Sequence, residues 1–566
     1  MQKNRKKKGR ISPVLVVILL IVLLAAAGGI SFLIQRYTPG RTQMDQNTYF
    51  GLENDQETAL VLNDSICEEK GKMIGGEPFV TQTFVNDHLN RAFYWDTESQ
   101  SVLITVPSGI VKITPGDSAY STEGGQPAVQ QTEDGTVYVA LELVRQYTDM
   151  DCSWYQNPNR AVMRTEWEGL SQTEVTDEEA VVRYRGGIKS GILTTVKQGE
   201  VLGYLEELED WVKVSTGDGY IGYIRKSSVT EPQEAPGHAE DASLVFTGIQ
   251  RDHKINLAWH QTTSAQANAA FGSMTANVSG VNVISPTWFS VVDNTGTLSS
   301  LADAEYVNQA HAAGMEVWGL IDNFNENFST ETALALSSVR TNIITQLIAQ
   351  AQQTGMDGIN VDFENLTEAA IPHYIQFLRE LSAAAHSVGL VVSVDTPVPQ
   401  SYTAYYDRGE QAKTVDYMIM MGYDEHYAGS EEAGSVASLP FVETGIQDLL
   451  KEVPAEKTIC AVPFYTRLWT ETFGQVGVTS EVLGMDGADQ YVAQLGMTKT
   501  WDASVGQNVA VAETDTARYT IWMEDEQSLE EKMKLIPRYD LAGAAEWKLG
   551  FERATVWEII ARYTAQ

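Results

Sequence analysis

At 566 residues the chain is too long for one hydrophobic core, and at roughly 150 residues per domain it divides into three or four units. A content of 43% hydrophobic and 20% charged residues is that of globular protein, but the net charge of -36 repels phosphate backbones, which argues against nucleic acid as a partner. Cys67, Cys152 and Cys460 form no metal-ligand spacing and no disulfide framework, although the first two fall in one predicted domain and could pair; no cofactor signature is present.

The chain opens with Lys3, Arg5, Lys6, Lys7, Lys8 and Arg10, followed by an uncharged stretch from Ile11 to Ile34 that Arg36 closes. About 20 apolar residues span a bilayer, and a secretory core is usually about 7–15, so 1–36 predicts a cytoplasmic basic tail and an uncleaved membrane anchor. Cleavage near Ala25–Gly29 is the alternative. The basic flank predicts a cytoplasmic N-terminus, with everything after Arg36 outside the cell.

Residues 49–170 contain a weak internal repeat, "EPFVTQTFVNDHL…FYWDTESQSVLIT" and "TVYVALELVRQYT…SWYQNPNRAVMR". Each copy reads as strand, amphipathic helix, aromatic pair and closing strand, and the region resembles the copper amine oxidase N-terminal-like domain of bacterial envelope proteins. No His/Cys cluster in it could hold copper. Over 177–230, short alternating strands with glycine turns predict a small barrel. Its "WVKV…GYIGYI" stretch, with Trp211 and Tyr223, resembles a bacterial SH3-type domain, a module that often contacts the cell wall in such company, with a plain spacer as the alternative. Residues 231–243 have the composition of a linker.

From 244 to 566 strands and helices alternate. Strand candidates are Ile255–Trp259, Val281–Ser285, Glu316–Ile321, Gly358–Glu364, Leu390–Asp395, Val415–Tyr423, Thr458–Tyr465 and Gly543–Trp547, with helical patterns such as Thr332–Gln352 and Tyr374–His386 between them. Eight strands over about 320 residues predict an α/β (β/α)8 barrel, with a doubly wound sheet as the rival. The stretch 468–525 is too long for a connection and predicts an inserted β-rich subdomain.

The fourth candidate strand runs Met356-Asp357-Gly358-Ile359-Asn360-Val361-Asp362-Phe363-Glu364. Alternation puts Asn360, Asp362 and Glu364 on one face and Ile359, Val361 and Phe363 on the other. In a barrel the polar set faces inward, and two carboxyl groups there are costly unless they serve a site. Two neighbouring carboxyls also raise one another's proton affinity, as a general acid near neutrality requires.

The run resembles the Asp-x-x-Asp-x-Asp-x-Glu pattern of glycoside hydrolase family 18, and its flavour resembles the YaaH-type spore and cell-wall branch. The resemblance implies Glu364 as the acid that protonates the glycosidic oxygen. Asp362 would orient the substrate's acetamido group for attack on the anomeric carbon, the substrate-assisted exception among retaining glycosidases. Asp357 fits the first Asp of the pattern, and Asn360 stands where the family most often has a second Asp. "MMGYDEH" resembles Met-x-Tyr-Asp, implying Met421, Tyr423 and Asp424 at the site, with Tyr423 donating to the acetamido oxygen. "VPFYTRLW" places Tyr465 and Arg467 at the cleft, and "GAAEWKLG" gives Trp547 as the floor beneath the cleaved sugar. Trp259 and Trp288 are further candidate sugar platforms. The implied protein is an anchored extracellular glycosidase of a bacterial, Gram-positive envelope. Its substrates would be β-1,4-linked N-acetylglucosamine glycans, peptidoglycan first and chitin-like polymers second, and the alternative is a non-catalytic glycan-binding protein on the same fold.

Overall fold

A computed structural model describes residues 12–565; the basic residues counted between 3 and 10 lie outside them. The helix Pro13–Tyr37 has a mean hydropathy of 3.0 in its most apolar window and is long and apolar enough to cross a membrane. The chain divides into two compact units, one of residues 1–89 and 116–241, the other of 90–115 and 242–566.

In the first unit, strands Glu57–Leu62, Ser65–Ile74, Glu77–Thr81, Val129–Gln131, Val137–Ala140, Asp151–Tyr155 and Arg160–Arg164 make one seven-stranded sheet. A second seven-stranded sheet, built on Glu179–Arg183, Ile192–Lys197, Val201–Glu207, Trp211–Ser215 and Ile221–Arg225, is the SH3-type barrel. The two share a core in which Phe50, Ala59 and Val61 pack with Val182, Val212 and Tyr220. Part of the expected linker is structured: Gln233–Glu234 pairs with Ser171–Glu174 as an edge strand, and His238 stacks on Trp167 at 3.6 Å. All three cysteines are free, so Cys67 and Cys152 do not pair.

The repeat in 49–170 folds unequally. The hairpin of the second copy, Asp151–Tyr155 with Arg160–Arg164, stays in its own sheet, whereas strands Phe93–Asp96, Ser101–Val106 and Gly109–Ile113 form a separate three-stranded sheet within the second unit. Asp96 and Arg340, both wholly buried, pair there at 3.3 Å, and Tyr94 Oη meets His373 Nδ1 at 2.7 Å.

The remainder of the second unit is an eight-stranded parallel barrel: β1 Ile255–His260, β2 Val283–Val291, β3 Glu316–Asp322, β4 Gly358–Asp362, β5 Val391–Pro397, β6 Tyr417–Met421, β7 Thr458–Pro463 and β8 Gly543–Trp547. Each strand pairs in parallel with its neighbour, and β8 closes on β1. The period-two alternation holds along β4 and breaks on β2, where the register shifts between Thr287 and Phe289. Ile359, Val361 and Phe363 pack outward against the helices, while Leu257, Trp318, Leu320, Val391, Tyr417 and Ile419 fill the interior. Gly358 is glycine because a Cβ there would lie 2.7 Å from the Trp318 ring, which stacks on Tyr417 in that layer.

Glu364 lies just beyond the end of β4, Tyr423 beyond β6, and Tyr465 begins a new strand rather than ending β7. From Tyr465 to Trp522 an antiparallel five-stranded sheet carries the helix Met485–Gln494 on one face, over a core of Leu468, Leu483, Ala488, Ala510 and Ile521.

Candidate active site at the carboxyl ends of the barrel strands

Register brings acidic residues to one level of the barrel. Asp322 on β3 is directly opposite Asp362 on β4. Asn360 on β4 is opposite Ser393 on β5, so two residues further on Asp362 flanks Asp395. Neighbouring strands lie about 4.8 Å apart, so the three carboxyls form an arc with Glu364 one step above it.

Asn360 ties the arc together. Its Oδ1 accepts from Trp259 Nε1 at 2.9 Å and Ser285 Oγ at 3.1 Å; its Nδ2 donates to Ser393 Oγ at 3.1 Å and Asp395 Oδ1 at 2.8 Å. An indole N–H only donates, which fixes the orientation of the amide: oxygen to Trp259, nitrogen to Asp395. All four of its hydrogen-bonding positions are then used.

Asp362 is 7% exposed, and its Oδ1 is buried without a hydrogen-bond partner among the described residues. Burial, then the charges of Asp395, Glu364 and Asp322, push its pKa well above the carboxylate range. Glu364 is half-buried, and burial, followed by Asp424 and Asp322, raises its pKa too. Its backbone is clamped by Asn323, whose Oδ1 accepts from Glu364 N and whose Nδ2 donates to Glu364 O, both at 2.9 Å. Asp322 accepts from Ser290 Oγ at 2.7 Å and from the Phe324 amide; burial outweighs those bonds and raises its pKa.

Tyr423 stands over the arc. Burial raises its pKa first, then the neighbouring Tyr465, Asp362, Asp395 and Asp424, so its hydroxyl keeps its proton and can donate. Tyr465 donates to Asp424, and its ring meets that of Tyr423 edge-on at 6.2 Å. Met421 closes β6 nearby, and Arg467 donates from Nε to Ser480 Oγ at 2.8 Å within the inserted sheet. Trp547, half-buried at the end of β8, meets Trp259 edge-on with ring centres 5.9 Å apart.

Three sequence expectations are corrected. Trp259 is 1% exposed and serves as the donor to Asn360 from the barrel floor, not as a sugar platform. Trp288 faces outward into the helix-side core against Tyr306 and donates to Asn268, so no sugar reaches it. Asp357 precedes β4 at its amino end, where it accepts from the Val317 amide and from His311, each at 2.8 Å; it joins β3 to β4 far from Glu364 in the strand direction. Sequence reasoning missed Asp395, Asp322 and Asn323. The first two carry the same polar-inward alternation as Asn360 and Asp362, in "VSVD" and "LID".

A closed parallel barrel with a half-buried carboxyl of raised pKa at the carboxyl end of β4, among further acidic side chains, is an arrangement able to supply acid catalysis. Residues 322–552, which span β4 to β8, match the glycosyl hydrolases family 18 model, and residues 179–230 match the bacterial SH3 domain model. The chain is 24% identical over 309 residues to the uncharacterized glycosylase YvbX of Bacillus subtilis, a match covering 52% of this chain and 88% of that one. It is 26% identical over 250 residues to the cortical fragment-lytic enzyme of the same organism, covering 42% of this chain and 57% of that enzyme's length. The spore cortex-lytic enzyme SleL of Bacillus cereus shares the fold with a TM-score of 0.50 and 18% identity, over 58% of this chain and 78% of that one.

Proposed function

We propose that the protein is a membrane-anchored extracellular glycosidase that cleaves β-1,4 bonds of N-acetylglucosamine-containing glycans, peptidoglycan before chitin-like polymers, by a substrate-assisted retaining mechanism. The observation that carries this reading is the partnerless buried oxygen of Asp362 beside a half-exposed Glu364 whose pKa is raised. A buried acceptor without a donor costs free energy that a bound N–H recovers. The acetamido N–H of the sugar would donate to Asp362 Oδ1 while its oxygen, held by the Tyr423 hydroxyl, turns to the anomeric carbon. Glu364 would give its proton to the departing glycosidic oxygen and, as a carboxylate, take one back from the water that opens the oxazolinium ring. Trp547 offers its ring to the apolar face of the cleaved sugar.

Peptidoglycan is favoured by the fragment-lytic relative and by the SH3 domain in the same chain. The helix Pro13–Tyr37, preceded by basic residues in the sequence, supports an anchor with the barrel outside.

The test is kinetic. Glu364→Gln keeps shape and removes the transferable proton, so kcat on purified peptidoglycan or chitin oligomers should fall roughly 10²–10⁴-fold with binding retained. A thiazoline mimic of the cyclised intermediate should bind more tightly than the parent sugar, and deacetylated glycans should bind but hardly react. Activity above about a tenth of wild type in Glu364→Gln, or a sugar trapped covalently on the protein, would refute the assignment.

A further inference from the structure

The four-way engagement of Asn360 has a counterpart on β5. We propose that Asp395 is the fixed negative charge of the site and that Asp362 beside it carries a proton in the resting enzyme, which makes Asp395 the positioning residue that stands in for a carboxylate at position 360. This rests on the reading of Asp362 and Glu364 given above. Three observations lead to it.

Asp395 is 4% exposed and flanks Asp362 in register, and two buried carboxyls so placed do not both ionise. Their surroundings differ. Asp395 accepts the Asn360 amide at 2.8 Å, a bond that favours its charged form, whereas Asp362 Oδ1 accepts from nothing among the described residues. And Asn360 is locked: with its oxygen taken by the Trp259 indole and Ser285, only its N–H groups can face β5, so the group it meets there must accept.

The groups facing the pair are acids and phenols: Asp322 from β3, Glu364 above β4, Tyr374 from the helix Ile371–His386, and Tyr423 beyond β6. Burial and the Glu364 charge raise the pKa of Asp395, and the Asn360 bond opposes them; nothing comparable opposes the rise at Asp362. The single charge of the pair therefore sits on β5, one strand from the acetamido group, while Asp362 presents a free oxygen to the incoming N–H. As positive charge develops on the oxazolinium, Asp395 stabilises it without having to be desolvated during the reaction.

The decisive measurement is infrared difference spectroscopy of the full chain in detergent, followed from neutral to alkaline pH and reading protonated buried carboxyls. Wild type minus Asp362→Asn should show one protonated carboxyl, and in Asp395→Asn the same band should disappear at a lower pH than in wild type, because the neighbouring charge that helps burial to hold the proton on Asp362 is gone. Other buried acids such as Glu546 are the same in every variant and cancel. In kinetics, Asp395→Asn should lower kcat at least tenfold with KM within about threefold, and Asn360→Asp/Asp395→Asn, which returns a carboxylate to β4, should recover most of the loss. No protonated Asp362 band in wild type, a band whose pH dependence Asp395→Asn leaves unmoved, or a kcat that it leaves unchanged would overturn the proposal; so would a double variant no faster than Asp395→Asn. A wild type inactive on every glycan would instead refute the functional reading, and the infrared test does not depend on turnover.

Discussion

Replacing Asp96 by alanine tests whether the sheet of residues 93–113 is an integral part of the barrel unit. The Asp96 carboxylate is wholly buried and accepts from the Ser99 amide and Ser337 Oγ, each at 2.9 Å, and from Arg340 Nη2 at 3.3 Å. Removing one member of a buried ion pair costs roughly 3–5 kcal/mol, because the other charge stays behind. Arg340 keeps Glu380 at 3.0 Å and the Leu334 carbonyl at 2.8 Å, so the lower end of that range, about 3 kcal/mol, is expected. In a unit of this size that lowers Tm by on the order of 5 °C. Burial alone would raise the pKa of Asp96, but the Ser99 and Ser337 hydrogen bonds and the Arg340 charge together lower it below 3.8. Its contribution is therefore present above that pH and is lost as pH falls through the depressed value. The assay is denaturant unfolding of the full chain followed by tryptophan fluorescence, with activity recorded alongside. A destabilisation under about 1 kcal/mol, or one that leaves the loss of glycosidase activity on heating unmoved, would refute the reasoning.

Two further outcomes follow from single side chains. Glu546 is buried with neither carboxyl oxygen partnered among the described residues, and burial, then the Glu552 charge, push its pKa well above 4.5. The folded state thus keeps a proton that the unfolded state releases above that pH, so stability falls as pH rises, and Glu546→Gln should flatten the slope and stabilise the protein at pH 8 more than at pH 5; parallel stability curves would sink this. Trp547→Ala should lower kcat/KM about 10–100-fold by removing roughly 1.5–3 kcal/mol of apolar contact with the sugar, whereas Trp547→Phe retains most of it, and an unchanged kcat/KM for the alanine variant would exclude the platform role.

The barrel was legible because its strands alternate so strictly. Ile359, Val361 and Phe363 could only face helices, and that phase puts Asn360, Asp362 and Glu364 inward. What the sequence hides is depth along the strand and phase at irregularities. Asp357 belongs to the same eight-residue pattern as Glu364 yet lies at the opposite end of β4, where it satisfies the Val317 amide. Trp288 follows a register shift between Thr287 and Phe289 that turns it outward, and no local property of a tryptophan announces that. The hairpin of residues 93–106 escaped for another reason. It repeats the pattern of 151–164, but its partners, Arg340 and His373, are more than 240 residues away in the chain. A repeat predicts how a segment folds locally, not which sheet or helix buries it.

Asn360 also shows why departure from a family pattern need not mean lost chemistry. An Asp at 360 could accept from Trp259 and Ser285 as the amide does, but it could not donate to Asp395 without taking up a proton of its own. With Asp362 and Asp395 already adjacent, a third inward carboxyl at 360 would add like charge to a dry interior and raise the cost of keeping any of them ionised. The amide removes that conflict: it adds no charge and joins the indole donor on β1 to the carboxyl on β5. Buried carboxyls at this level of the barrel are then supplied by β4 and β5 together, where the family pattern alone points only to β4. Burial, followed by the charges of Asp424 and Asp322, raises the pKa of Glu364, the direction a general acid needs before it meets its substrate.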